Sequence, residues 1–152
     1  MKLSALVVDD EIDLRETICE LIVQAGFEAT PAADGEAALA FLEKNPAQLV
    51  ICDISMPGLT GLQTLQKIRD RGLACAVVML TAHSEKERII QALQLGAIDY
   101  VTKPFEVAVL LEKIPVWLAM GQRLQDIANH SESTGADLQK QLRLIELFQA
   151  EA

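Results

Sequence analysis

Four short, largely apolar runs, Leu3–Val8, Leu49–Cys52, Ala76–Leu80 and Ile98–Val101, recur along the chain and are separated by longer segments with helical spacing. Such runs are too brief for buried helices and suit strands covered on both faces. The intervening segments place apolar residues at steps of three and four: Leu14, Ile18, Leu21 and Ile22, then Ala38, Leu39 and Leu42, then Leu62, Leu65 and Ile68, then Ile89, Ile90 and Leu93. Each stripe is expected to face a sheet. A further strand is placed at Glu28–Ala32, because Gly26 reads as a helix C-cap and Pro31 is tolerated at a sheet edge. Five strand–helix units with short connections predict an α/β fold: a parallel, doubly wound sheet with right-handed crossovers and a site at the carboxyl ends of its strands.

At 152 residues the chain has the length of about one domain, and 51% hydrophobic residues supply a well-filled core. The net charge of −9 opposes attraction to phosphate backbones or anionic lipid, and no local basic patch offsets it. Neither direct nucleic-acid binding nor membrane binding is expected. Cys19, Cys52 and Cys75 are odd in number and widely spaced in apolar surroundings, which suits small buried hydrophobes in a reducing compartment. The N-terminal apolar run is too short for a signal peptide, and no run approaches the length of a membrane span. A cytoplasmic location is the expectation.

Chemistry gathers where the strands end. Asp9 and Asp10 follow the first strand, Asp53 follows the third, Thr81 the fourth and Lys103 the fifth. Carboxylates crowded into one crevice repel, and a bound cation is expected to offset that repulsion. Three carboxylates suit a hard divalent ion such as Mg²⁺, with a backbone carbonyl just past Asp53, that of Ser55, completing its shell. A cation, a carboxylate, a hydroxyl and an ammonium together equip a site for phosphoryl transfer, which is mostly positioning and charge stabilisation. Asp53 is the candidate nucleophile, and Thr81 and Lys103 are placed to hold phosphoryl oxygens.

The segments "VVDDE", "ICDISMPGLTG", "VVMLTAH" and "AIDYVTKPF", in this order and at these separations, resemble the receiver domains of two-component response regulators over roughly residues 1–120. The resemblance implies the flavodoxin-like strand order 2-1-3-4-5. It also implies that Asp53 accepts a phosphoryl group from a sensor histidine kinase or phosphotransfer protein, with Asp10 and Asp53 as direct Mg²⁺ ligands and Asp9 acting through water. Thr81 then matches the switch hydroxyl, Lys103 the phosphate-binding ammonium and Tyr100 the aromatic that swings inward. Ser55 and His83 match variable positions that tune phosphoryl lifetime, and the Lys103–Pro104 bond is expected to be cis. Such a chain is a signalling switch rather than an enzyme acting on a separate product.

Other classes fit less well. A metal-dependent phosphatase with an aspartyl phosphate shows two aspartates spaced by one residue, whereas Asp53 is followed by Ile54 and Ser55. A nucleotide-binding domain needs a glycine-rich turn after the first strand, where "DDEID" stands instead. The remaining alternative is a receiver-like interaction module that works without phosphorylation.

Residues 121–152 are expected to form a helical extension for dimerisation, docking or linkage to a downstream effector. Its first part continues a stripe of Leu110, Ile114, Trp117, Gly121, Leu124 and Ala128, in which Pro115 should kink the helix or start a new one. A final amphipathic helix is expected around Leu138, Leu142, Ile145 and Phe148. Three basic residues against five acidic ones make this extension a poor nucleic-acid binder.

Overall fold

A computed structural model describes residues 2–82, 84–130 and 143 of the chain. The apolar runs become β1 (Ser4–Val8), β3 (Leu49–Asp53), β4 (Ala76–Ala82) and β5 (Asp99–Lys103), with β2 at Glu28–Ala32. Between and after them lie α1 (Ile12–Gln24), α2 (Gly35–Lys44), α3 (Gly61–Asp70), α4 (Lys86–Gln94) and α5 (Val107–His130). All strand pairs are parallel and the order is β2-β1-β3-β4-β5. The fold is the flavodoxin-like doubly wound sheet. Pro31 is tolerated because β2 is an edge strand, paired only with β1.

Successive strand side chains point to opposite faces, so each buried strand feeds two cores. Val7, Ile51 and Val78 join Ile18 and Ile22 of α1 and Leu110 and Ile114 of α5 in one cluster. Leu6, Val50 and Val77 join Leu39 of α2, Leu65 and Ile68 of α3 and Ala92 of α4 in the other. The helical stripes face the sheet as expected, with one correction on α4. Ile90 is 48% exposed, and the buried position on that helix is Ala92. The nine-residue α4 presents a narrower apolar face than the sequence spacing suggested.

Three strands run further than their apolar residues do. Pairing of Asp53 with Leu80, Thr81 with Thr102 and Ala82 with Lys103 carries the ladder into polar sequence. Backbone hydrogen bonds set a strand's end, and side-chain polarity does not. Asp53, Thr81 and Lys103 are therefore strand residues, held more rigidly than loop residues would be.

A single helix spans Pro115, so of the two outcomes expected there, a kink or a new helix, the new helix does not form. Pro115 is itself exposed, where the freed backbone carbonyl one turn earlier can reach water. The stripe around it is consumed by the domain's own core: Ile114, Trp117, Leu118 and Leu124 are buried. Gly121 meets the first residues before β3, where an added Cβ would lie 1.7 Å from the Gln48 carbonyl oxygen. Gln125 donates to the Ala47 carbonyl at 2.9 Å and accepts from the Gln48 side chain at 3.0 Å. Gln48 in turn accepts from the Ser4 N–H at 2.7 Å, which ties α5 to β1. Gly121→Ala is therefore expected to cost about 1–3 kcal/mol by overpacking and to lower Tm by roughly 3–10 °C. An unchanged melting curve would mean that α5 does not dock here.

The sequence-expected helix around Leu138–Phe148 lies outside the described residues, apart from Arg143, which is helical and exposed. His83 also lies outside them. Among the described residues, no helix is long and apolar enough to cross a membrane.

Candidate functional site

The order of strands reverses between β1 and β3, the switch point beyond whose carboxyl ends sheets of this kind place their sites. Val8 pairs with Cys52, so the register brings Asp9 level with Asp53. Asp9 is fully buried, Asp53 is 6% exposed and Asp10 is exposed. Carboxylate oxygens of the three lie within 4.8 Å of one another.

Lys103 enters from β5. Its ammonium is 3.1 Å from Asp9 Oδ2 and 3.2 Å from Asp53 Oδ2. Lys103 bridges the two buried acids and Asp10 is exposed, so the ammonium offsets part of the carboxylate repulsion alongside the cation expected there. Burial opposes the charge on Lys103, but its bonds to Asp9 and Asp53 outweigh that cost and hold its pKa above the ordinary lysine value. Burial pushes the Asp53 carboxyl up to about 6; Lys103 and the Ser55 N–H, donating at 3.2 Å, pull it down, and Asp9 pushes it up.

Asp9 is held by its surroundings. Its Oδ1 accepts from the Glu11 N–H at 2.9 Å, and its carbonyl accepts from Arg15 at 2.7 Å. The turn beyond Asp53 is equally constrained. Gly61 donates its N–H to the Ile54 carbonyl at 3.0 Å, and a Cβ there would come within 2.3 Å of the Asp53 carbonyl oxygen. Only glycine lets the start of α3 approach so closely, while a capping box of Thr60 and Gln63 fixes where that helix begins.

The structure thus brings Asp9, Asp10, Asp53 and Lys103 together. Thr81 is buried one residue beyond the partner of Asp53, with its hydroxyl donating to the Ala82 carbonyl at 3.1 Å. Tyr100 is 41% exposed and is not part of the group. The Lys103–Pro104 bond is cis. Ser55 is exposed beside the site, and its hydroxyl donates to Glu85 and accepts from Arg88 at 2.7 Å. Glu85 and Arg88 went unnoticed in sequence because they lie 30 and more positions from Ser55, with no spacing to announce the contact. Asp99 was likewise missed: it accepts from Trp117 Nε1 at 3.0 Å and Lys113 at 3.3 Å, pinning β5 to α5.

Residues 5–115 match the family described as the response regulator receiver domain. The chain belongs to that family. This receiver domain is 37% identical over 118 residues to the sensory transduction protein RegX3 of Mycolicibacterium smegmatis, covering 78% of this chain and 51% of that protein. It is also 37% identical over 114 residues to the response regulator protein FleR of Pseudomonas aeruginosa, covering 75% of this chain and 24% of that one. Among solved structures, the chemotaxis protein CheY4 of Vibrio cholerae superposes with a TM-score of 0.72 at 29% identity, covering 77% of this chain and 99% of that chain. The receiver domain of NtrX from Brucella abortus does so with a TM-score of 0.72 at 33% identity, covering 76% and 98%. The chain spans about half the length of RegX3, so the match describes one part of such a relative.

Three hard oxygen donors within reach of one another are chemically suited to a divalent cation, and the exposed Asp10 leaves that group open to solvent.

Proposed function

We propose that this receiver domain is a Mg²⁺-dependent phosphoacceptor that takes a phosphoryl group onto Asp53 from a sensor histidine kinase or phosphotransfer protein. The observation that carries this reading is Lys103, set between Asp9 and Asp53 at 3.1 and 3.2 Å beside the open carboxylate of Asp10. One Asp53 oxygen attacks phosphorus, the bond from phosphorus to the donor's imidazole nitrogen breaks, and its electron pair stays on that nitrogen. Asp9, Asp10, Asp53 and the Ser55 carbonyl would hold Mg²⁺, which when bound supplies positive charge for the phosphoryl oxygens. Lys103 exchanges one carboxylate partner for the new phosphoryl group. Thr81 turns its hydroxyl from the Ala82 carbonyl toward it. Tyr100 moving inward would carry the change to the surface of β5 and its neighbours.

The product stays on the protein, so the domain works as a switch. Its output is read by a downstream effector or by a second copy of the chain. We assign residues 1–120 to the receiver and residues 121–152 to an extension: its start, to His130, continues α5 onto the receiver's own core, and the rest is proposed to dimerise, dock a partner or link to an effector.

The test is intact-mass measurement after incubation with Mg²⁺ and phosphoramidate. One added phosphoryl group is expected, and none with EDTA. An unchanged mass in Mg²⁺ would favour a phosphorylation-independent interaction module. Asp10→Ala should weaken Mg²⁺ binding at least about tenfold, measured by titration calorimetry, because it removes a charged oxygen donor. Wild-type affinity in that variant would remove Asp10 from the metal site.

A further inference from the structure

Asp53 and Thr81 are joined by an unbroken path of hydrogen bonds that runs outside the acidic group. The Ser55 N–H donates to Asp53 Oδ1 at 3.2 Å, and the Ser55 hydroxyl donates to Glu85 Oε2. Glu85 Oε1 accepts from the Ala82 N–H at 3.2 Å, and the Ala82 carbonyl accepts from the Thr81 hydroxyl at 3.1 Å. The Glu85 N–H also donates to the Ala82 carbonyl, at 3.2 Å. Arg88 braces the centre of the path, 2.7 Å from Ser55 Oγ and 3.1 Å from Glu85 Oε2. Glu85 therefore clasps the loop after β3 to the end of β4 beside the site.

Each hydroxyl on this path has a single proton to donate. In the structure Ser55 gives its proton to Glu85 and Thr81 gives its own to Ala82. A phosphoryl group on Asp53 brings three strong acceptor oxygens and added negative charge into the space between them. It competes for the same two protons. Thr81 cannot turn without releasing the Ala82 carbonyl, and Ala82 is held at both its N–H and its carbonyl by Glu85.

We propose that Glu85 is a positioning residue for the phosphoacceptor reaction: it clasps Ser55 and Ala82 so that the unphosphorylated arrangement is favoured, and phosphorylation proceeds by opening this clasp. The inference rests on the phosphoacceptor reading of Asp53. It differs from that reading in naming a residue that touches neither metal nor phosphoryl group and sets how readily the switch moves.

Phosphoramidate labelling of the full chain in Mg²⁺ gives the test, with wild type, Glu85→Ala, Ser55→Ala and the double variant followed in parallel by intact mass. Glu85→Ala is expected to label about threefold to thirtyfold faster than wild type, the range for losing hydrogen bonds to a partly exposed carboxylate. In the Ser55→Ala background most of that gain should vanish, because one end of the clasp is already gone. Amide exchange in the unphosphorylated, metal-free protein should show the Ala82 N–H losing protection in Glu85→Ala. Labelling of Glu85→Ala at the wild-type rate would overturn the proposal. So would a gain that persists in full in the Ser55→Ala background, which would mark Glu85 as a mere source of repulsion toward an anionic donor. Absence of labelling in wild type is a separate result and sinks the phosphoacceptor reading itself.

Discussion

Asp53→Asn is expected to take up no phosphoryl group, a loss of at least about a thousandfold in labelling rate, while keeping the fold. The amide fills the same space at the end of β3 and its oxygen can still accept from the Ser55 N–H, but it has no anionic oxygen to attack phosphorus. The same substitution should raise the stability of the metal-free protein, and the sign follows from the direction of the shift. The Asp53 carboxyl sits at about 6, above its ordinary 3.8, so folding favours the protonated form. Its favourable contribution is complete below pH 4 and is lost as pH rises through about 6. Asparagine carries no such dependence. Urea melts in EDTA should therefore show Asp53→Asn more stable than wild type by about 1–2 kcal/mol at pH 7.5 and nearly equal to it at pH 4. Equal stability at both values would mean that the carboxylate is not strained by its burial.

Lys103→Met should be the most damaging single change to the metal-free fold around the site. The ammonium is the shared partner of Asp9 and Asp53, and methionine keeps its length without its charge. Two buried carboxylates then face each other with nothing between them. Breaking a fully buried pair costs 3–5 kcal/mol, and the 22% exposure of the Lys103 side chain reduces the expectation to about 1–3 kcal/mol at pH 8. The loss should shrink toward pH 5, since the Asp53 carboxyl, deprived of its cation, titrates still higher and takes up a proton. Labelling should fall as well, and raising the Mg²⁺ concentration should not restore it, because on the proposed reading Lys103 acts on the phosphoryl group and not as a metal ligand. A pH-independent stability loss, or labelling rescued by Mg²⁺, would contradict this role.

The sheet and most of the acidic site were legible in the sequence because both follow from short-range rules. Apolar runs of strand length separated by helical stripes imply the βα repeat, and strand ends are where such a sheet places polar chemistry. The strand order was a matter of family resemblance, since periodicity names no neighbours. What escaped was the pairing of side chains far apart in sequence. Nothing local shows that Lys103 lies across both Asp9 and Asp53, or that Glu85 reaches Ser55. Gly121 read as one member of an apolar stripe, and its reason, the near contact with the Gln48 carbonyl, exists only once α5 is laid on the domain. Ile90 misled in the opposite direction, since a helix resting on the sheet through Ala92 leaves a neighbouring isoleucine in solvent.

The central claim is that Asp53, among three clustered aspartates, carries the phosphoryl group, and it can be read directly by reducing the labelled protein with borohydride. An aspartyl phosphate is an acyl phosphate, which borohydride converts to homoserine while leaving free carboxylates intact, so peptide mass spectrometry identifies the residue that was modified. Homoserine at position 53, with Asp9 and Asp10 unchanged, is the predicted result. Homoserine at position 9 or 10, or none after a confirmed gain of phosphoryl mass, would contradict the assignment.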